Sequence, residues 1–181
     1  ISAKANRTSA FVQRNLRGCP HSTQTTCYKT LVRPLVEYAA PVWDPHQQYL
    51  SSSLEIVQRR SARRILHDFR PTTSASDLVS QLHLDPLKLR RTAAKATMMY
   101  KIMGGLVEAT PRSGTLTPAQ RPTRGQAHKL QVPHSRTEVH KNSFFPSSIR
   151  LWNAIPPEAP AASSTQAFRS CIEAWLRGGS G

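Results

Sequence analysis

Arg59, Arg60, Arg63 and Arg64 bring four guanidinium groups into one six-residue stretch. The planar fork of a guanidinium takes phosphate oxygens in pairs, where a lysine offers a point charge. At about 100° per residue on a helix, Arg59, Arg63 and His67 fall on one flank and Arg60 and Arg64 widen it, while Leu50, Leu54, Val57, Ser61 and Ile65 gather opposite. One side of such a helix can pack while the other meets a polyanion. The same cluster also fits a solvated basic face or a nuclear import signal. A second basic flank, Lys88, Arg91 and Lys95, is expected one helix further on. Two such flanks on neighbouring helices would make a wall of a groove.

Composition agrees with an acidic partner. The 181 residues carry 25 Lys and Arg against 10 Asp and Glu, a net charge of +15, which points first to nucleic acid and second to an anionic membrane surface. No run of about 18 or more apolar residues occurs, so no segment is expected to span a bilayer. Three cysteines, Cys19, Cys27 and Cys171, form no paired framework and fit a reducing, intracellular setting. The absence of an initiator Met or an apolar leader at Ile1-Ser2-Ala3-Lys4 reads as a start within a longer protein.

Other chemistry is poorly supplied. Two-metal phosphoryl transfer needs several converging carboxylates, whereas Asp44, Asp68, Asp77 and Asp85 are scattered and no Asp-Asp pair occurs. Cys19, His21 and Cys27 match none of the usual zinc spacings. No nucleophile elbow, Walker loop or dinucleotide-binding glycine pattern is present. No catalytic residue and no metal ligand is therefore expected in this chain. His128, His134 and His140 are expected to be solvated.

The elements that must position the basic residues read as helices, so the expected fold class is all-α: a helical bundle over residues 1–103, a flexible basic Pro/Thr-rich linker over 104–143, and a C-terminal segment over 144–181 whose helix packs back on the bundle. Lys4 to Leu16 is a first helix, with Ala5, Thr8, Val12 and Leu16 on its apolar side, ended by Gly18 and Pro20. A second runs from Ser22 to Ala39, its face made by Cys27, Leu31, Leu35 and Tyr38, with a kink at Pro34. Pro41 and Asp44-Pro45 turn a corner that Trp43 can anchor. Ser52-Ser53-Leu54-Glu55 has the form of a capping box, which starts the arginine-bearing helix near Ser53. Asp85-Pro86 opens a helix closed by Gly104-Gly105, with Leu89, Ala93, Ala96, Tyr100 and Met103 facing the core. A terminal helix runs from about Thr165 to Arg177, with Phe168, Cys171, Ile172 and Trp175 on one face and Glu173 paired with Arg177. Tyr28, Tyr38, Trp43, Phe69 and Tyr100 are expected mainly in the core. Phe144, Phe145 and Trp152 either clamp the terminal segment onto the helical body or expose a stacking surface.

Two stretches then carry a resemblance. Tyr28-Lys29-Thr30-Leu31-Val32-Arg33-Pro34-Leu35-Val36-Glu37-Tyr38-Ala39-Ala40-Pro41-Val42-Trp43-Asp44-Pro45, followed by Leu54-Glu55-Ile56-Val57-Gln58-Arg59-Arg60-Ser61-Ala62-Arg63, resembles the region just after the polymerase palm in reverse transcriptases of non-LTR retrotransposons, with jockey-like LINE elements the nearest type. Ser143-Phe144-Phe145-Pro146-Ser147-Ser148-Ile149-Arg150-Leu151-Trp152-Asn153-Ala154-Ile155-Pro156 is similar to the segment that closes those reading frames. The resemblance covers almost the whole chain. It implies the thumb and C-terminal extension of an RNA-directed DNA polymerase, partnered by an RNA·DNA heteroduplex or template RNA and by the upstream fingers and palm of the same polyprotein. Cytoplasm and nucleus are the implied locations, and no membrane is a partner. The family's aromatic-x-Asp-Asp turn is absent here, so magnesium is expected only in the palm, no cofactor in this chain, and no turnover from this chain alone. The zinc-knuckle cysteines of some LINE proteins have no counterpart. The alternative is a stand-alone interaction module derived from a retroelement. On either reading the expected nucleic-acid contacts are Arg59, Arg60, Arg63 and Arg64, supported by Lys88, Arg91 and Lys95.

Overall fold

The structure is a computed structural model that describes residues 1–108, 116–119 and 128–179. The fold is all-α: among the described residues no strand forms, and Pro118 opposite Leu130 is an isolated bridge. The chain divides into two compact units, residues 1–90 and 91–181, so the division falls inside a helix rather than at residue 103.

The first unit begins with α1 (Ser2–Asn15) and α2 (His21–Cys27). Next come a π-helical turn (Tyr28–Val32) and α3 (Arg33–Glu37). The expected kink at Pro34 thus becomes a widened turn just upstream. A proline has no N–H to donate and its ring crowds the carbonyl four residues back, and the wider winding relieves both problems. The buried row in this region is Tyr28, Val32 and Val36, with Leu31 and Tyr38 exposed at 52% and 82%. Of the expected face, Cys27 and Leu35 pack partly buried against the core, whereas Leu31 and Tyr38 do not, so the buried side is rotated towards Tyr28, Val32 and Val36. Both rows are apolar at helical spacing. What selects between them is α5 (Gln48–Ile65), whose buried Gln58 accepts a 2.9 Å hydrogen bond from the Tyr28 hydroxyl and donates one of 3.0 Å to the Asp85 carbonyl. Ala39 adopts a left-handed conformation before the short α4 (Ala40–Trp43), where the Trp43 indole donates to the Tyr38 carbonyl, as an anchor for the corner should.

α5 begins ahead of its supposed capping box. Glu55 serves a different helix: its carboxylate accepts from the backbone N–H groups of Leu87 (3.3 Å) and Lys88 (2.7 Å), the first residues of α7 (Leu87–Met103). A carboxylate is favoured there because a helix N-terminus presents unpaired N–H groups and a positive dipole end. α6 (Ala75–Gln81) buries Leu78 and Val79. With Leu54, Val57, Ala62, Ile65 and Leu87 they extend the core that Ala5, Val12, Tyr28, Val32 and Val36 begin.

Three helices end on the same hydrogen-bond pair, the Schellman arrangement. After α5, Asp68 donates to the Arg63 carbonyl and His67 to that of Arg64. After α6, Leu84 donates to Val79 and His83 to Ser80. After α7, Leu106 donates to Lys101 and Gly105 to Ile102. Each motif needs a left-handed residue. Glycine supplies it once, at Gly105, and histidine twice, at His67 (φ 52°) and His83 (φ 50°).

The second unit takes the rest of α7, α8 (Glu138–Asn142), α9 (Phe144–Ala154), a 3-10 turn (Ala159–Ala161) and α10 (Thr165–Gly178). Ser164 caps α10 by accepting from the Ala167 N–H. Phe168 stacks between Tyr100 (4.4 Å, 18°) and Trp152 (6.0 Å, 26°), and Ala93, Ala96, Met99, Ile149, Ile155 and Ile172 close the core around them. Trp152 is therefore a core residue. Phe144 and Phe145 are half-buried and meet edge to face. Part of the expected flexible linker is strapped down: Asn153 exchanges two hydrogen bonds with the backbone of Leu130, and the Trp152 indole donates to the His128 carbonyl. His128 lies against Trp152 rather than in solvent. Residues 109–115 and 120–127 of that linker lie outside the described residues. Glu173 pairs with Arg169 at 2.9 Å and with Arg177 at 3.9 Å, so the expected partner is the more distant of two.

Candidate nucleic-acid interface

The four arginines of α5 do not form one ridge. Arg59 and Arg60 are exposed and take part in no ion pair. Arg63 is half-buried, because the chain leaving α5 folds back across it. Its guanidinium donates to the carbonyls of Asp68 (3.4 Å), Arg70 (3.1 Å) and Thr73 (2.8 Å). That loop is further fixed by Arg70, whose side chain forks onto Asp68 at 3.1 and 2.7 Å and holds its carboxyl well below the usual carboxylate range. Arg63 is a loop clasp and has few donors left for phosphate. Arg64 turns towards α1, where it donates to the Ser9 hydroxyl at 3.4 Å while its own carbonyl accepts from Gln13.

Arg59 instead lines a groove of about 300 Å³ formed by α5, α6 and the start of α7, and Lys88 lines the same groove. The structure thus brings together one residue from each expected basic flank. Ser52 and Ser76 place hydroxyls along the walls, the Ser80 hydroxyl donates to the Ser76 carbonyl, and Glu55 lies among them with its oxygens committed to the α7 N-terminus. A guanidinium and an ammonium in one groove are both groups that bind phosphate oxygens.

The rest of the second flank does not join it. Arg91 is 1% exposed, so the expectation of an exposed phosphate contact is corrected: on α7 Arg91 is enclosed by protein. Lys95 is half-buried and already engaged.

A second concavity, also of about 300 Å³, lies where α1 and α5 both end. Arg14, Arg17, Arg64 and His67 line it, and Phe69, 64% exposed, stands at its side. Arg14 and Arg17 lie outside the apolar side of α1, and their signal in the sequence is two arginines three residues apart at a helix end. Phe69 and Tyr38 were both expected in the core, and both are exposed.

Among the described residues no helix is long and apolar enough to cross a membrane, and no three of His, Cys, Asp and Glu are placed to hold a metal ion. Comparison with protein-family models, with curated proteins and with solved structures finds no match to this chain.

Proposed function

We propose that residues 1–90 grip the sugar-phosphate backbone of nucleic acid, with Arg59, Arg60 and Lys88 as the contacts, and that the chain is the thumb-like, C-terminal part of a LINE-type RNA-directed DNA polymerase holding its template and primer. The observation that carries the binding reading is the meeting of Arg59 and Lys88, from two helices, in one groove, with the exposed Arg60 next to Arg59 in sequence but outside the groove lining. The polymerase reading is carried by the sequence resemblance alone. Catalysis, on this reading, belongs to palm aspartates and their magnesium elsewhere in the polyprotein, and this chain contributes position and charge.

A titration of RNA·DNA heteroduplex, single-stranded RNA and duplex DNA at two salt concentrations tests it. Each phosphate neutralised on duplex DNA adds about 0.9 to the slope of log affinity against log salt, which corresponds to roughly eightfold in affinity at about 0.1 M salt relative to 1 M. The variant R59Q/R60Q/K88Q should then bind several hundredfold more weakly at about 0.1 M, with a slope shallower by about 2.7. An unchanged slope would remove the mechanism.

A second reading, a stand-alone nucleic-acid or protein interaction module derived from a retroelement, is favoured by the closure of a separate hydrophobic core in each unit. It predicts that fusing the chain to a polymerase palm leaves heteroduplex affinity unchanged, whereas the thumb reading predicts an increase.

A further inference from the structure

We infer that the concavity between the ends of α1 and α5 is a second binding site, which takes one unpaired nucleotide of a nucleic-acid strand: its phosphate between Arg14, Arg17 and Arg64, its base against the ring of Phe69. The inference rests on the proposed function only for the ligand class, nucleic acid.

The site's charge is undiluted. Among the described residues Arg14, Arg17 and Arg64 take part in no ion pair, and no carboxylate lines the concavity. The nearest acid in sequence, Asp68, is held by three hydrogen bonds from Arg70. The site is also built. Gln13 donates 2.9 Å to the Arg64 carbonyl, Arg64 reaches Ser9, and Ser9 shares a buried 2.8 Å bond with Ser61, so α1 and α5 hold Arg14 and Arg64 in fixed register. His67 is placed by the Schellman turn that ends α5, in a backbone conformation that histidine adopts only at a cost.

The ligand follows from size and from Phe69. A free phosphate leaves most of the 300 Å³ empty and gives the ring no partner. A nucleotide brings both a phosphate and a ring, and an exposed aromatic next to a cationic cluster is how proteins hold single strands, by stacking on any base. Bases inside a duplex have both faces covered by their neighbours, so only an unpaired one can use Phe69. The site is separate from the groove because Arg59 and Arg64, five residues apart, are about 140° apart around α5.

The experiment measures binding of the whole chain to a short single-stranded RNA and to an abasic strand of the same length, which keeps the phosphates and lacks the bases. The chain should prefer the base-bearing strand by about tenfold or more, and F69A should erase that preference. R14Q/R17Q should weaken both strands by more than R59Q/R60Q, which removes the same charge elsewhere. Circular dichroism confirms that each variant is folded. No preference in the native chain, a preference that survives F69A, or equal losses from the two arginine pairs overturns the inference. Failure of R59Q/R60Q/K88Q to weaken duplex binding removes the proposed groove and leaves this site standing.

Discussion

The groove holding Arg59 and Lys88 and the concavity holding Arg14, Arg17 and Arg64 have similar volumes and share the helix α5, yet they differ in acidic content. The groove contains Glu55. The concavity contains no carboxylate. Glu55 cannot be dispensed with, since it caps α7 and so places Lys88, one of the groove's two cations. The same carboxylate that positions a cation therefore also dilutes its field. In the concavity the arginines are set by neutral contacts, Ser9 with Ser61 and Gln13 with the Arg64 carbonyl, and the charge is left whole. A basic patch is thus described as much by what holds its cations as by how many it has.

Both regions hang on the attachment of α5, which gives the largest expected effect. Burial pushes the Tyr28 hydroxyl pKa far up, because an anion there would lose its water. The folded-state pKa lies above that of the unfolded chain, so this stabilisation is complete below about pH 10, the ordinary tyrosine value, and is lost as pH rises beyond it. Melting temperature measured against pH should fall steeply above about pH 10, and Y28F should flatten the fall. If both regions depend on this one contact, binding to duplex and to single strand should fail together in alkali.

R63Q separates clasp from contact. It removes charged hydrogen bonds to three carbonyls and should cost about 2 kcal/mol of stability by denaturant titration, while shifting the salt slope for duplex much less than R59Q does. A slope change equal to that of R59Q would return Arg63 to the phosphate-binding set. E55Q tests the dilution: stability should drop by about 1 kcal/mol as the α7 cap weakens, and duplex affinity should rise severalfold, with single-strand affinity at the concavity unaffected. The smallest effect is expected at His67. H67G relieves a left-handed histidine and should add a few tenths to about 1 kcal/mol of stability, and equilibrium unfolding would detect it. H83G, at the matching position after α6, serves as the control that touches neither arginine of the concavity.

Local signals located most of the helices. Gly18 with Pro20, Asp85-Pro86 and Gly104-Gly105 mark real ends, and the α10 face of Phe168 and Ile172 packs as its spacing implies. The Leu54, Val57, Ser61, Ile65 side of α5 is buried as well, though Leu50 is not. Where two faces of one helix are both apolar, as with Leu31 against Val32, spacing cannot choose, and a partner must. Where a motif has two uses, as with Ser52 to Glu55, the local pattern suggests one and tertiary structure builds the distant one. Arg91 and Phe69 fail for the same reason from opposite sides, because amino-acid type says what a residue prefers on average and burial is assigned by what packs over it.

The chain's composition by itself determined a strongly cationic, helical protein, and the period of its apolar residues determined which segments wind and roughly where they stop, since winding depends on neighbours within a few positions. Only tertiary structure decided which cations meet. Arg59 found Lys88, Arg64 found Arg14 and Arg17, and Arg63 was spent on its own loop, because those encounters join residues up to about fifty positions apart whose contact depends on how helices pack, a quantity that no local pattern encodes.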